Sequence, residues 1–442
     1  MLINSIQQKT KSKYPKFGVN KVQTMTRLVY EIAKRDHISE EEVLNSIPRH
    51  LIKFDQIKAC LLKQRYPNCS KDEISQVKIF PSLDLDPALA VDLNRTKLKI
   101  KPQEFLIEKA VKDSRLAKRV SQLFPHTPVH LIDSYNSHIK KNQFSITNYN
   151  HRLNQIFVVQ EKFNYITPCP CTKDCVCCGY TILNCGTGCG FECEYCFLQS
   201  YTNAPGIVIP ANIEDYLQKI GEITNPTRIG TGQFTDSLIF DHITEYSKEI
   251  IPFVRNKPHI QFEFKTKSNN ITNLLSIPAA ENVVAAWSIN PPRLIDQCEH
   301  FTASLQERLT AAKQCQDHGY KVAFHFDPII YFDKWKEEYT QVIDDIFTSV
   351  KAEKIAWISL GTLRMTLKQK QTIESRFPQN TILDQEFICG FDDKLRYNNV
   401  LRAELYQTLL DKIHQHSKQV HVYLCMEDQA MHKKCNCDNV TV

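Results

Sequence analysis

Nine of the seventeen cysteines in this 442-residue chain fall between Cys169 and Cys196. Such crowding leaves few solutions: a disulfide scaffold, a metal or cluster site, or thiol redox chemistry. Disulfide frameworks belong to small secreted domains that cannot build a core. With 42% hydrophobic and 24% charged residues, this chain has an ordinary globular composition. Its N-terminus, MLINSIQQKTKSKYPKF, lacks the apolar core of a signal peptide. No stretch approaches the ~20 apolar residues that span a bilayer. The expectation is a soluble, cytoplasmic protein without a membrane partner, whose reduced thiols bind metal or do redox chemistry.

Two cysteine runs share one spacing. Cys189, Cys193 and Cys196 form Cys-x3-Cys-x2-Cys within CGTGCGFECEYCFLQ, directly after the strand-like YTILN, with Tyr195 before the last thiol. Three thiolates on a short loop suit three irons of a cubane [4Fe–4S] cluster and leave the fourth iron without a protein ligand. An open iron can chelate the amino and carboxylate groups of a small molecule, and a low-potential electron can then break the C–S bond of a bound sulfonium. Gly186, Gly188 and Gly190 suit a loop that wraps closely around the cluster. Zinc is the competing occupant. Cys171, Cys175 and Cys178 repeat the spacing upstream of the strand; they read as structural thiols, as an auxiliary cluster, or as a zinc site closed by Cys169 or Cys177. Barrel enzymes build their sites at strand ends, so the second run is the preferred cluster site. It resembles the signature of the radical S-adenosylmethionine superfamily.

The surrounding pattern is βαβ. Strand candidates at 180–184, 227–232, 260–266, 283–289, 321–326 and 354–360 alternate with helical stretches, and Gly319 closes one helix just before its strand. Six repeats are too few for a complete eight-fold barrel. The expected fold class is therefore α/β, a partial (β/α)6 TIM-like barrel with an additional mostly helical N-terminal region. Residues 1–100 read as a basic, mainly helical extension, in which Ser39 and Glu42 carry a capping-box pattern. Residues 101–170 read as a small α/β segment with a helix over EFLIEKAVKDSRLAKRVSQLF and strands at VHLID and IFVVQEK. The barrel then covers 171–390, and 391–442 holds a helix, a strand and a Cys-rich tail.

Several blocks occur in one order: GCGFECEYCFLQ, RIGTGQFTDSLIFDHIT, FKTKSNNITNLL, WSINPP, GYKVAFHFDPIIYFDKWKEEY and SLGTLRM. In these blocks, residues about 105–437 resemble the spore photoproduct lyase family. The resemblance implies a partial barrel that binds a [4Fe–4S] cluster and S-adenosyl-L-methionine, fed by an electron donor such as flavodoxin or ferredoxin. It further implies a 5′-deoxyadenosyl radical that takes hydrogen from a methylene-bridged thymine dimer in DNA, after which a cysteine returns hydrogen. Cys189, Cys193 and Cys196 match the cluster ligands. Lys267 and Ser288 match a lysine and a serine near the bound cofactor, and Thr235 stands where the family has a serine. Gln233 occupies the place of the hydrogen-donor cysteine. An amide N–H is too strong a bond to serve, so either another group donates (Cys389, Cys425, Tyr195 or Tyr397) or the chain is a paralogue acting on a different nucleic acid or small molecule. From another class, a zinc-stapled, non-catalytic nucleic-acid-binding protein remains open.

Other residues carry two readings each. Asp236 with Thr235 can cap the next helix or bond a cofactor. His325 and Asp327 can serve structure or substrate, and Arg364 a phosphate or a carboxylate. Cys425, Cys435 and Cys437 beside His432 fit no zinc template well. Residues 1–150 hold 26 basic and 15 acidic side chains against 29 and 34 in the remainder. With Tyr14, Phe17, Tyr30, Phe54 and Tyr66 interleaved, this front segment reads either as a nucleic-acid grip or as a helical module with lysines outward.

Overall fold

The computed structural model describes residues 3–79, 83, 85–93, 98–141, 145–172, 174–202 and 204–437. Contacts divide the chain into two units, one of 1–91, 330–333 and 362–402, the other of 92–329, 334–361 and 403–442. No helix among the described residues is long and apolar enough to cross a membrane.

In the first unit, helices α1 (Ile3–Lys13), α2 (Val19–Asp36), α3 (Glu40–Ser46) and α4 (Phe54–Arg65) pack around Met25, Leu28, Val43, Ile57 and Leu61. Ser39 and Glu42 form the predicted capping box at the start of α3. Arg27 of α2 meets Glu374 at 2.5 Å, and Lys370 and Arg65 meet Glu31 at 2.6 and 3.0 Å. Buried charges persist only when paired in this way. These pairs fold 362–402 with the N-terminal helices, although sequence order puts most of that stretch in the barrel. The interleaved aromatics turn inward: Tyr30 and Tyr66 are buried, and Phe17 stacks on Tyr14 and meets Phe54 edge-on.

The second unit contains two main sheets. The smaller is all parallel, in the order Val129–Ile132, Glu104–Glu108, Gln155–Val159, Ile207–Pro210. Residues 104–108 are therefore strand, where periodicity suggested helix. EFLIE lies between two parallel partners with Phe105, Leu106 and Ile107 buried, and the helix starts only at Arg115, capped by Ser114.

The larger sheet has eight strands in spatial order: β1 (Ile166–Pro168), β2 (Tyr180–Leu183), β3 (Thr227–Gly230), β4 (Ile260–Thr266), β5 (Val283–Ser288), β6 (Lys321–Ile329), β7 (Ile355–Thr362) and β8 (Val422–Leu424). β2 to β7 are the six predicted strands. β1 joins β2 antiparallel and β8 joins β7 parallel. The sheet curls into a partial barrel, bringing Tyr180, Trp357 and Tyr423 from β2, β7 and β8 around the one guanidinium of Arg228. At the unclosed seam, Val176 N–H donates to the Glu427 carbonyl at 2.9 Å, and Cys175 pairs with Asp428.

Candidate active site at the strand ends

β2 ends at Leu183, and the chain enters the predicted thiol loop. Among the described residues no cysteine is in a disulfide; Cys193 is buried, while Cys189 and Cys196 are half-buried. Burial pushes the Cys189 thiol up to about 12 and raises Cys193 well above its ordinary value, and each pair among the three interacts electrostatically. A metal cation bound there would offset this burial and hold the groups as thiolates. Among the described residues, no three His, Cys, Asp or Glu side chains converge on a single ion position. Three thiols on one loop are a donor set that either the irons of a cluster or zinc can take.

Arg152 shapes this loop from outside it. Its buried guanidinium donates to the carbonyls of Cys189 and Phe191 at 2.6 Å each and to Glu192 at 2.6 Å. Gly188 N–H donates to the Phe234 carbonyl at 2.9 Å, tying the thiol loop to the loop after β3. Gly188 has φ +94, and a Cβ there would sit 2.9 Å from Ile207; at Gly190 it would sit 2.7 Å from Ile239. These two glycines let the loop pass close to neighbouring isoleucines.

Opposite the loop stand the ends of β4 and β5. Lys267, one residue past β4, donates to Tyr195 Oη at 2.6 Å and to Glu299 Oε1 at 2.7 Å. Glu299 also accepts from Asn290 at 2.7 Å, from Arg308 at 2.6 Å and from the Tyr195 hydroxyl. Its backbone pairs with Cys193 in a short antiparallel bridge. Burial alone would raise the Glu299 pKa, but Lys267 and Arg308 outweigh it and hold the carboxyl well below its usual range. Burial, followed by Glu299, pushes the Tyr195 phenol well up, so it stays neutral.

Asp236 and Thr235 divide the two readings of their pair. Asp236 accepts from the N–H groups of Leu238 and Ile239 at 3.0 Å, from Thr266 at 2.6 Å and from Lys267 N–H at 2.7 Å, which makes it a turn and strand-end clamp. The buried Thr235 hydroxyl has no hydrogen-bond partner, a condition that asks for a ligand or water. Ser288 ends β5, buried, with its carbonyl bound by Arg308 at 2.8 Å. Gln233 is half-buried in the loop after β3, beside Phe234, whose ring stacks on Tyr201 at 5.6 Å.

His325 lies inside the barrel. Its Nε2–H donates to Glu263 at 2.6 Å and its Nδ1 meets the Ser359 hydroxyl at 2.6 Å. Burial lowers its pKa, so the ring is neutral and structural. Arg364, Cys389 and Tyr397 belong to the first unit, where Tyr397 is buried against Phe387. Cys178 and Cys425 pack on one cluster with Trp357 and Tyr423, and the Cys169 and Cys171 sulfurs are 3.7 Å apart. Cys435 and Cys437 are buried and turned to Met431 and the Val422 carbonyl. Sequence reasoning missed Arg152, Asn290, Glu299 and Arg308. Asn290 sits in the block WSINPP, where Ser288 alone was singled out; the other three lie outside every quoted block.

A curled parallel sheet with a three-thiol loop after its first parallel strand defines the class of radical S-adenosylmethionine proteins. Residues 171–388 match the family model of spore photoproduct lyase, and over that segment the chain belongs to the spore photoproduct lyase family. Spore photoproduct lyase of Clostridium acetobutylicum is 28% identical over 207 residues, 45% of this chain and 61% of the relative. That of Bacillus subtilis is 26% identical over 209 residues, again 45% and 61%. The chain thus spans about three fifths of the length of the curated relatives it matches. A solved spore photoproduct lyase complexed with dinucleoside spore photoproduct superposes with TM-score 0.63 at 21% identity, covering 74% of this chain and 99% of that one. A variant with bound AdoMet and the same dinucleoside gives the same TM-score, identity and coverage. At this identity the likeness establishes the fold.

Proposed function

We propose that the chain is a radical S-adenosylmethionine enzyme of the spore photoproduct lyase kind, acting on a thymine-dimer lesion in DNA. The observation that carries this reading is the set of three thiols, Cys189, Cys193 and Cys196, on the loop after β2, which also carries Tyr195, the partner of the Lys267 ammonium. These thiols would hold a [4Fe–4S] cluster. When bound, it supplies the electron that breaks a C–S bond of S-adenosylmethionine and leaves a 5′-deoxyadenosyl radical. Lys267 would pair with the cofactor carboxylate, Thr235 and Ser288 would offer hydroxyls, and the neutral Tyr195 would close the wall beside Cys196. Related structures with a dinucleoside spore photoproduct in place support the lesion as substrate. A flavodoxin or ferredoxin in a reducing cytoplasm fits the electron demand.

Gln233 favours a second reading, a paralogue that uses the same radical on a different nucleic acid or small molecule. The experiment that separates the two is anaerobic reconstitution followed by reduction with S-adenosylmethionine. Bound iron and released 5′-deoxyadenosine are expected; zinc without iron would leave only a metal-stapled binding protein. Dinucleotide spore photoproduct should then be restored to two thymidines. Intact cofactor cleavage without repair selects the paralogue, and Gln233→Cys should raise repair if the missing thiol is the whole defect.

A further inference from the structure

We propose that Glu299 is a positioning residue, which aims the Lys267 ammonium so that one of its N–H bonds is left for the carboxylate of S-adenosylmethionine. The inference rests on the cofactor reading above and assigns a task to a residue outside every sequence motif.

An ammonium has three N–H donors. Tyr195 Oη at 2.6 Å and Glu299 Oε1 at 2.7 Å take two of them. A lysine held at two points cannot swing among its rotamers, so the third donor has a fixed direction. The holder is itself immobile. Asn290 binds the same Glu299 oxygen at 2.7 Å, and Arg308 binds the other at 2.6 Å. Arg308 is anchored in turn on the carbonyls of Ser288 and Ala303, at 2.8 Å each, and on the Thr302 hydroxyl at 2.7 Å. From below, Asn290 Oδ1 accepts from the Tyr339 hydroxyl at 2.8 Å. On the backbone side, the pairing of Glu299 with Cys193 and of His300 with Glu192 fixes the residue to the thiol loop.

Two cations therefore share one buried carboxylate. The nearby Asp236 does not compete for the ammonium, because its oxygens are occupied by Thr266 and by three backbone N–H groups. Glu299 satisfies Lys267 only in part. A carboxylate arriving beside the thiol loop would complete the shell of a lysine that is already held in place, without the cost of ordering a free side chain.

Affinity for two ligands tests this. S-adenosylmethionine and its decarboxylated analogue are each titrated by equilibrium dialysis into the reconstituted wild type and Glu299→Gln, with iron counted in both. The expected result is at least a tenfold weaker affinity for S-adenosylmethionine in Glu299→Gln, with less than a twofold change for the analogue and unchanged iron. An equal loss for both ligands, or no loss for either, overturns the proposal. If Glu299→Gln loses iron, Glu299→Asp, which keeps the charge and withdraws it by one methylene, must show the same ligand selectivity, or the proposal falls. A wild type that holds iron and binds S-adenosylmethionine while the variants show no selectivity removes the role of Glu299 alone. A wild type that holds neither removes the cofactor reading and this inference together.

Discussion

Two of the buried carboxylates in the second unit, Glu263 and Glu299, differ in one respect of their surroundings. Glu263, inside the curl, accepts from His325 at 2.6 Å, Trp357 at 3.2 Å and Arg228 at 3.3 Å. One guanidinium faces one carboxylate there, and the guanidinium is roofed by Trp357 at 3.8 Å from the ring centroid. Glu299, at the strand ends, faces both Lys267 and Arg308. The inner group serves packing, with Arg228 Nε buried and unpartnered beneath its aromatic cover; the outer group keeps an ammonium donor in reserve. A buried ion pair is weak evidence of function by itself. What separates the two groups is the second cation on Glu299, the Lys267 ammonium, which also bonds Tyr195 of the thiol loop.

The largest effect should come from the loop. Cys193→Ala is expected to reduce bound iron and 5′-deoxyadenosine to background while the denaturant midpoint barely moves. A cluster that survives the change would erase the distinction between the two groups. Next, Glu263→Ala leaves Arg228 buried and unpaired and should destabilise the fold by about 3–5 kcal/mol in urea titration. A variant that keeps its stability but loses cofactor affinity would assign function to the inner group instead.

The inner group also sets a pH dependence. The folded pKa of His325 lies below its unfolded value of 6.5 because of burial, so the unfolded state binds the proton first. Stability is then complete above about pH 6.5 and falls as pH drops, by up to about 1.4 kcal/mol per pH unit for one group. Glu263 has its pKa lowered chiefly by Arg228 against the opposing effect of burial. Its contribution is present above its unfolded value of 4.5 and is lost on further acidification. His325→Gln should flatten the first part of this decline in urea titrations at stepped pH, and an unchanged slope would refute it. The smallest effect is expected from Tyr339→Phe, which removes the bond to Asn290 and should cost about 1 kcal/mol. A much larger loss of cofactor affinity would extend the outer group to that helix.

The sequence made the barrel legible because its strands are short apolar runs separated by helical periods, a pattern that local packing enforces. The thiol loop was legible for a similar reason, since three ligands of one cluster must be near neighbours in sequence. EFLIE was misread because a strand buried among parallel partners has no alternation to distinguish it from a helix. Glu299 and Arg152 could not be found at all. Their partners lie 32 residues away at Lys267 and 37 away at Cys189, and no local spacing encodes a contact that the fold creates. The assignment of 362–402 to the N-terminal unit was hidden likewise, because Arg27 and Glu374 are 347 residues apart.

The larger sheet ends in two strands of three residues each, Ile166–Pro168 and Val422–Leu424. An unclosed parallel sheet exposes rows of amides and carbonyls along its margins, which invite another polypeptide to add itself. Here each margin offers room for only a few ladder bonds, and Pro168 withholds a donor at one of them. The fold can stop short of a full cylinder without becoming a seed for fibrous association.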